Sequence, residues 1–170
     1  MVERKMPERV DLGRHSNTVI SLVLARKREI EEGSIVKNLH GYREILGFFL
    51  PSWQRGLVWS EAQKIALLES AWRGINIGTY TYNTAPIGHA LDNLLIDGQQ
   101  RMSALEDYFN DAFPVFGYKW SEITEYDRRD FKNSIHFASY ETRSEDEQYL
   151  RDYYNLTNFG GVAHKESDRA

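Results

Sequence analysis

The spacing of apolar positions changes abruptly between residues 94 and 109. Leu94, Leu95 and Ile96 run consecutively, as in a buried strand. From Gln99 onward, Met102, Leu105, Tyr108 and Phe109 recur at three- and four-residue steps, the stripe of a helix with one buried face. The turn pair Asp97-Gly98 lies between them. The pattern predicts a strand that passes through a tight turn directly into a helix, and the rest of the chain is organised around that unit.

The same reading places other elements along the chain. A helix is expected over 18–32, capped by Asn17, with Val19, Leu22, Val23 and Ile30 on its inner side and Gly33 as its stop. Residues 43–50 read as one strand ended by Pro51, which cannot continue a ladder. The helix over 60–73 has the clearest signals: a Ser60/Gln63 capping box, Ile65, Leu68 and Trp72 inward, Lys64 and Glu69 outward, and Gly74 at the end. A strand follows at 78–82, then a loop to residue 93. Beyond the central unit come a short strand or hairpin arm at 114–120 and a helix capped by Ser121 and running to about 132, with Tyr126 and Phe131 inward. A strand at 135–140 and a helix at 144–154 follow, the latter with Ser144 as cap and acidic residues in its first turn. This alternation predicts one α/β (α+β) domain over 16–161, between a flexible arm at 1–15 and a polar tail at 162–170.

Composition narrows the function classes. The 170 residues suit one domain with its own core. Net charge is −4, so the surface as a whole does not hold nucleic acid by charge. The absence of cysteine removes disulfides, thiolate nucleophiles and cysteine zinc sites. No apolar run reaches membrane length and the first residues lack a signal-peptide core, so no membrane partner and a cytoplasmic location are expected.

Candidate chemistry lies in three places. The central turn gathers Asp97, Gly98, Gln99, Gln100 and Arg101 at a helix N-terminus, where unpaired N–H groups attract anions and Arg101 adds a forked donor. It reads either as a phosphate-handling turn or as an ordinary connection in which Asp97 caps the helix. In 51–59, Trp53 and Trp59 bracket Gln54 and Arg55; an arginine beside a tryptophan holds a phosphate or stacks on a base, or else the tryptophans are core anchors. At 156–161, Asn158, Gly160 and Gly161 permit a close-approach backbone path that cradles an anion or simply stops a helix. Arg26, Lys27 and Arg28, with Arg128 and Arg129, are either solvated faces or contacts to a nucleic-acid backbone. His89 has no second histidine at ligand spacing and reads as a loop residue.

Taken in order, P-x-x-Q-R-G-x-x-W, G-T-Y, L-I-D-G-Q-Q-R and N-x-G-G resemble the DGQQR family, seen in the N-terminal domains of GmrSD-type modification-dependent restriction enzymes and related phage-defence proteins. The resemblance covers about 48–161. It implies a small mixed sheet flanked by helices, similar to ParB and sulfiredoxin, that binds and often hydrolyses a nucleoside triphosphate (ATP or GTP) with Mg²⁺. By position it implies Asp97, Gln100 and Arg101 as catalytic residues, with Asp97 also the metal ligand. It assigns nucleotide binding to Gln54, Arg55, Gly98, Gln99, Asn158, Gly160 and Gly161. Two positions depart from the family pattern: Trp53 where a tyrosine is usual, and Leu156 where an arginine is common. The expected activity is phosphoryl transfer to water or to a hydroxyl, such as a hydroxymethylated base in DNA, in a free-standing chain without a nuclease cluster. The alternative is a non-catalytic module that binds nucleotide or DNA, or blocks a host or phage defence protein, with Trp53, Arg26, Lys27 and Arg28 touching nucleic acid.

Overall fold

The computed structural model describes residue 6, residues 9–33 and 41–158, and the backbone of Phe159. The elements begin with β1 (Arg14–Ser16) and α1 (Ile20–Glu31), then β2 (Arg43–Ile45), β3 (Phe48–Leu50) and α2 (Glu61–Trp72). β4 (Thr79–Asn83), β5 (Leu94–Asp97) and α3 (Gln99–Phe109) form the middle; α4 (Glu125–Ser134), β6 (Ala138–Thr142) and α5 (Glu147–Phe159) complete it. The strands make one mixed sheet in the order β1-β6-β4-β5-β3-β2. β3 is parallel to β5 and β4 is parallel to β6, while β4 and β5 are antiparallel. The α/β class expected from the sequence is therefore observed.

Alternate residues of the central strands feed two cores. Phe48, Leu50 and Leu95 face a large cluster with Leu68 of α2, Met102, Leu105 and Tyr108 of α3, and Phe131 of α4. Phe49, Leu94 and Ile96 face the other side, where Leu150, Tyr153 and Tyr154 of α5 cover them. This two-sided burial is why 94–96 is continuously apolar.

Several boundaries differ from expectation, each for a local reason. Residues 43–50 are a hairpin, because Leu46 (φ 47°) and Gly47 (φ 85°) both take the left-handed turn that joins β2 to β3. α1 starts at Ile20 after Val19, without a side-chain cap, and Leu22 is 57 % exposed. α4 is capped by Thr124, whose hydroxyl accepts from the Asp127 N–H, and not by Ser121. Tyr126 is 80 % exposed while Phe131 is fully buried. Five residues at about 100° each put the two side chains on different sides of one helix. Lys64, expected outside, crosses to α3 and pairs with Asp107. The arm expected to end at residue 15 joins the fold earlier: Tyr149 donates its hydroxyl to the Asp11 carbonyl, and β1 pairs with β6 from Arg14. α5 extends past 154 through Asn158, so that segment is helix where a loop was expected. The tail at 162–170 lies outside the described residues.

Candidate functional site: the N-terminus of α3

Because β3 and β5 run parallel, the segments that follow them leave the sheet at the same end. One is the loop from Pro51; the other is the turn from Asp97 into α3. This is the end at which α/β sheets place ligands. α5 packs against β5 and brings Asn158 to the same place. Arg55, Trp59, Asp97, Gly98, Gln99, Gln100, Arg101 and Asn158 line one cavity of about 90 Å³ there.

The turn is built around Gly98. Its φ is 96°, and a Cβ there would lie 2.8 Å from the Tyr80 Cβ on β4. Only glycine meets both demands. With no side-chain cap at Gly98, the N–H groups of Gln99, Gln100 and Arg101 have no acceptor among the described residues. The cavity therefore opens on unpaired donors at the positive end of a helix.

The glutamines hold the loop. Gln54 Nε2 donates to the carbonyls of Leu95 (2.6 Å) and Ile96 (3.0 Å). Gln99 Nε2 donates to the Arg55 carbonyl at 2.9 Å. Gln100 Nε2 donates to the Gly56 carbonyl, and Gln100 Oε1 accepts from the N–H groups of Val58 and Trp59. Gln100, expected at the reacting atoms, thus has both ends of its amide committed to the loop backbone and acts on the cavity by positioning it. The Arg55 N–H donates to the Tyr154 hydroxyl at 3.3 Å, which ties the loop to α5.

The charged groups differ in freedom. Arg101 Nη2 donates to the Thr79 carbonyl (2.5 Å) and to Asp97 Oδ2 (3.2 Å). Its Nε is buried with no hydrogen-bond partner among the described residues. Asp97 Oδ1 makes no hydrogen bond among the described residues. The Arg55 guanidinium is exposed and forms no ion pair among them. Below the turn, Tyr153 shares a hydrogen bond with Thr81 Oγ1 at 3.2 Å. Burial pushes the Tyr153 hydroxyl above the ordinary phenol range, and the nearby negative charge of Asp97 adds to that.

Asn158 sits in the last turn of α5, where its Nδ2 donates to the Tyr154 carbonyl at 3.0 Å; it lines the cavity from a helix and not from a loop. Gly160 and Gly161 lie outside the described residues. The cluster of 26–28 is split. Arg26 places its guanidinium over the rings of Tyr82 (5.1 Å) and Phe48 (5.7 Å) and donates to Asn93 Oδ1, so it is part of the packing. Lys27 is partly buried, and Arg28 is exposed. Trp53 packs edge-on against Tyr154 beneath Arg151, the core-anchor alternative. Arg128 folds back onto Glu125 and the carbonyl of Ser121, leaving Arg129 exposed. Trp59 lines the cavity although the sequence reading treated it only as a bracket for Gln54 and Arg55; its spacing within P-x-x-Q-R-G-x-x-W was the available signal.

A larger cavity, about 560 Å³, lies at the opposite end of the sheet against Arg14, Glu141 and Arg143. There the Arg143 Nε already pairs with Glu141 Oε1 at 3.0 Å. The smaller one adds to its own ion pair the N–H groups at the start of α3 that have no acceptor among the described residues, and the chemistry therefore favours it.

The fold and this turn define an α/β domain with a pocket at the C-terminal ends of the parallel strands β3 and β5, open on the N-terminus of α3. The chain belongs to the family described as GmrSD restriction endonuclease, N-terminal domain, which matches residues 35–168. It is thus a module related to modification-dependent restriction enzymes. No curated protein and no solved structure matches the chain. No helix among the described residues is long and apolar enough to cross a membrane.

Proposed function

We propose that the α3 pocket binds the phosphates of a nucleoside triphosphate, ATP or GTP, and that the protein transfers the terminal phosphoryl group to water or to a hydroxyl, such as a hydroxymethylated base in DNA. The observation that carries this reading is the convergence of Arg55, Asp97 and Arg101 on a helix N-terminus whose first N–H groups have no acceptor among the described residues. Those groups suit the charge spread over a transferring phosphoryl group, and the chemistry asks mainly for positioning and charge stabilisation. An acceptor oxygen forms the new bond to the γ-phosphorus; the bond to the bridging oxygen breaks, and its electron pair leaves with the diphosphate. Family membership in a restriction system supports DNA as the partner.

Asp97 is the carboxylate of this cavity, and Oδ1 is its available oxygen. Among the described residues no group of three or more His, Asp or Glu side chains could cage a metal. That donor set fits Mg²⁺, which is commonly held by one or two carboxylates with substrate phosphates and waters. When bound, Mg²⁺ would neutralise charge on the phosphate oxygens. Asp97 then holds it through Oδ1 or, without it, orients the attacking oxygen; Arg55 and Arg101 neutralise the phosphates, and Gln54, Gln99 and Gln100 keep the loop in place.

A second reading, a nucleotide- or DNA-binding module without turnover, is favoured by the groups already engaged: Asp97 is paired with Arg101, and the Nε2 donors of Gln54, Gln99 and Gln100 are taken up by backbone carbonyls. Incubation with each γ-labelled triphosphate and Mg²⁺, with and without DNA carrying hydroxymethylated bases, separates the two. Label released as phosphate or moved to DNA supports transfer. Retention of label with saturable binding selects the second reading.

A further inference from the structure

The α3 cavity, about 90 Å³, lies well below the roughly 300 Å³ at which small-molecule sites begin, so it suits a phosphate group better than a whole nucleotide. A second cavity of about 270 Å³ adjoins it. Arg55 lines both. The second cavity lies between the start of β2 and the loop after β3, with Tyr42, Arg43, Pro51, Ser52 and Gly56 in its wall. β2 is antiparallel to β3, with Arg43 opposite Leu50, so Arg43 is brought to the same end of the sheet as the α3 turn. Its Nη2 lies 3.5 Å from Gln99 Oε1, on the first residue of α3.

We infer that this second cavity is the nucleoside subsite of the α3 pocket, with Arg43 and Arg55 flanking the phosphate chain as it passes from one cavity to the other. This rests on the reading of the α3 pocket as a phosphate site. The chemistry of the wall suits the assignment. Tyr42 and Pro51 offer flat, largely apolar surface against which a planar base packs, and Ser52 offers a hydroxyl that both donates and accepts. The volume approaches the lower bound of small-molecule sites, about 300 Å³. The two guanidiniums supply positive charge where the ligand is most negative. Arg43 lies outside the motifs that mark the phosphate end, and Ser52 occupies an unspecified position within one of them.

The test uses two probes on the full chain: inorganic tripolyphosphate, which needs only the phosphate end, and ATP and GTP, which need both. Affinities are measured by titration calorimetry for the wild type, Ser52→Trp and Gly56→Trp. Ser52 is exposed, and a Cβ at Gly56 meets open space at an ordinary φ, so both bulky side chains are tolerated by the fold, which a thermal melt checks. The expected result is nucleotide affinity lowered at least about tenfold in the variants, with tripolyphosphate affinity changed less than about twofold. Unchanged nucleotide affinity in both variants, or an equal loss for both probes, overturns the subsite while leaving the phosphate pocket standing. Failure of the wild type to bind tripolyphosphate or nucleotide removes the phosphate reading itself, and the subsite with it.

Discussion

Arg101 reaches back one helical turn to Asp97, with Nη2 3.2 Å from Oδ2, and the same nitrogen donates to the Thr79 carbonyl on β4. The pair spans the strand end and the first turn of α3, so it fixes the geometry of the turn and also lines its cavity. Asp97→Ala and Arg101→Ala are each expected to lower phosphoryl transfer about 100-fold, the scale of losing one charge-stabilising group. Arg101→Lys should restore little, since one ammonium does not replace a fork. Label transfer from γ-labelled triphosphate measures this; turnover like the wild type in both alanine variants rejects the assignment.

Gln100 acts through the loop it holds. Gln100→Ala removes one donor and one twice-used acceptor, leaving the N–H groups of Val58 and Trp59 without that partner. The expected cost is about 1–3 kcal/mol in a denaturant titration. Amide exchange at Val58 and Trp59 should rise more than at the β4–β5 ladder. Unaltered protection of these two amides would show that something else holds the loop.

Gly98→Ala tests the turn itself. The residue would need a left-handed φ of 96° and a Cβ 2.8 Å from that of Tyr80. The combined strain should cost about 1–3 kcal/mol or more. A melting temperature equal to that of the wild type would mean that the turn can relax without β4.

Arg26→Ala separates packing from nucleic-acid contact. Loss of two ring contacts and the bond to buried Asn93 should destabilise the fold by about 1–2 kcal/mol. Arg28→Ala, at an exposed position, should leave stability unchanged. Paired urea titrations of the two variants check this. Equal stability for the two would return Arg26 to the surface cluster.

Glu141 gives a pH dependence of stability. Burial acts to raise its carboxyl, but hydrogen bonds from Arg143 and Thr84 and the charges of Arg143 and Arg14 outweigh it, holding the group below the usual carboxylate range. The unfolded chain then binds this proton more readily than the folded one, so the stabilisation is present above the unfolded value, about 4.3 for a glutamate, and is lost as pH falls through the lower folded value. Glu141→Gln should therefore be less stable than the wild type at pH 7, and the gap should close toward pH 3. Denaturation midpoints at several pH values measure it; a gap that widens in acid reverses the sign and refutes the account.

Local signals were legible where neighbours in sequence decide structure. The Ser60/Gln63 box starts α2 as its spacing indicates, and Gly98 marks the turn. They misled where one apolar run concealed a turn, as at Leu46-Gly47, and at the start of α4, which Thr124 caps in place of Ser121. Within the candidate site, the residue types of 97–101 pointed to an anion. They did not reveal that three glutamines bind backbone, because an amide's partner is set by what the fold carries past it.

The chain by itself determined the strand–turn–helix around Gly98 and the extent of α2, since each follows from signals a few residues apart. Only the tertiary structure decided that Arg55, Asp97 and Asn158 meet. Their meeting follows from β3 lying parallel to β5 and from α5 packing against β5, pairings between distant residues that no local spacing encodes.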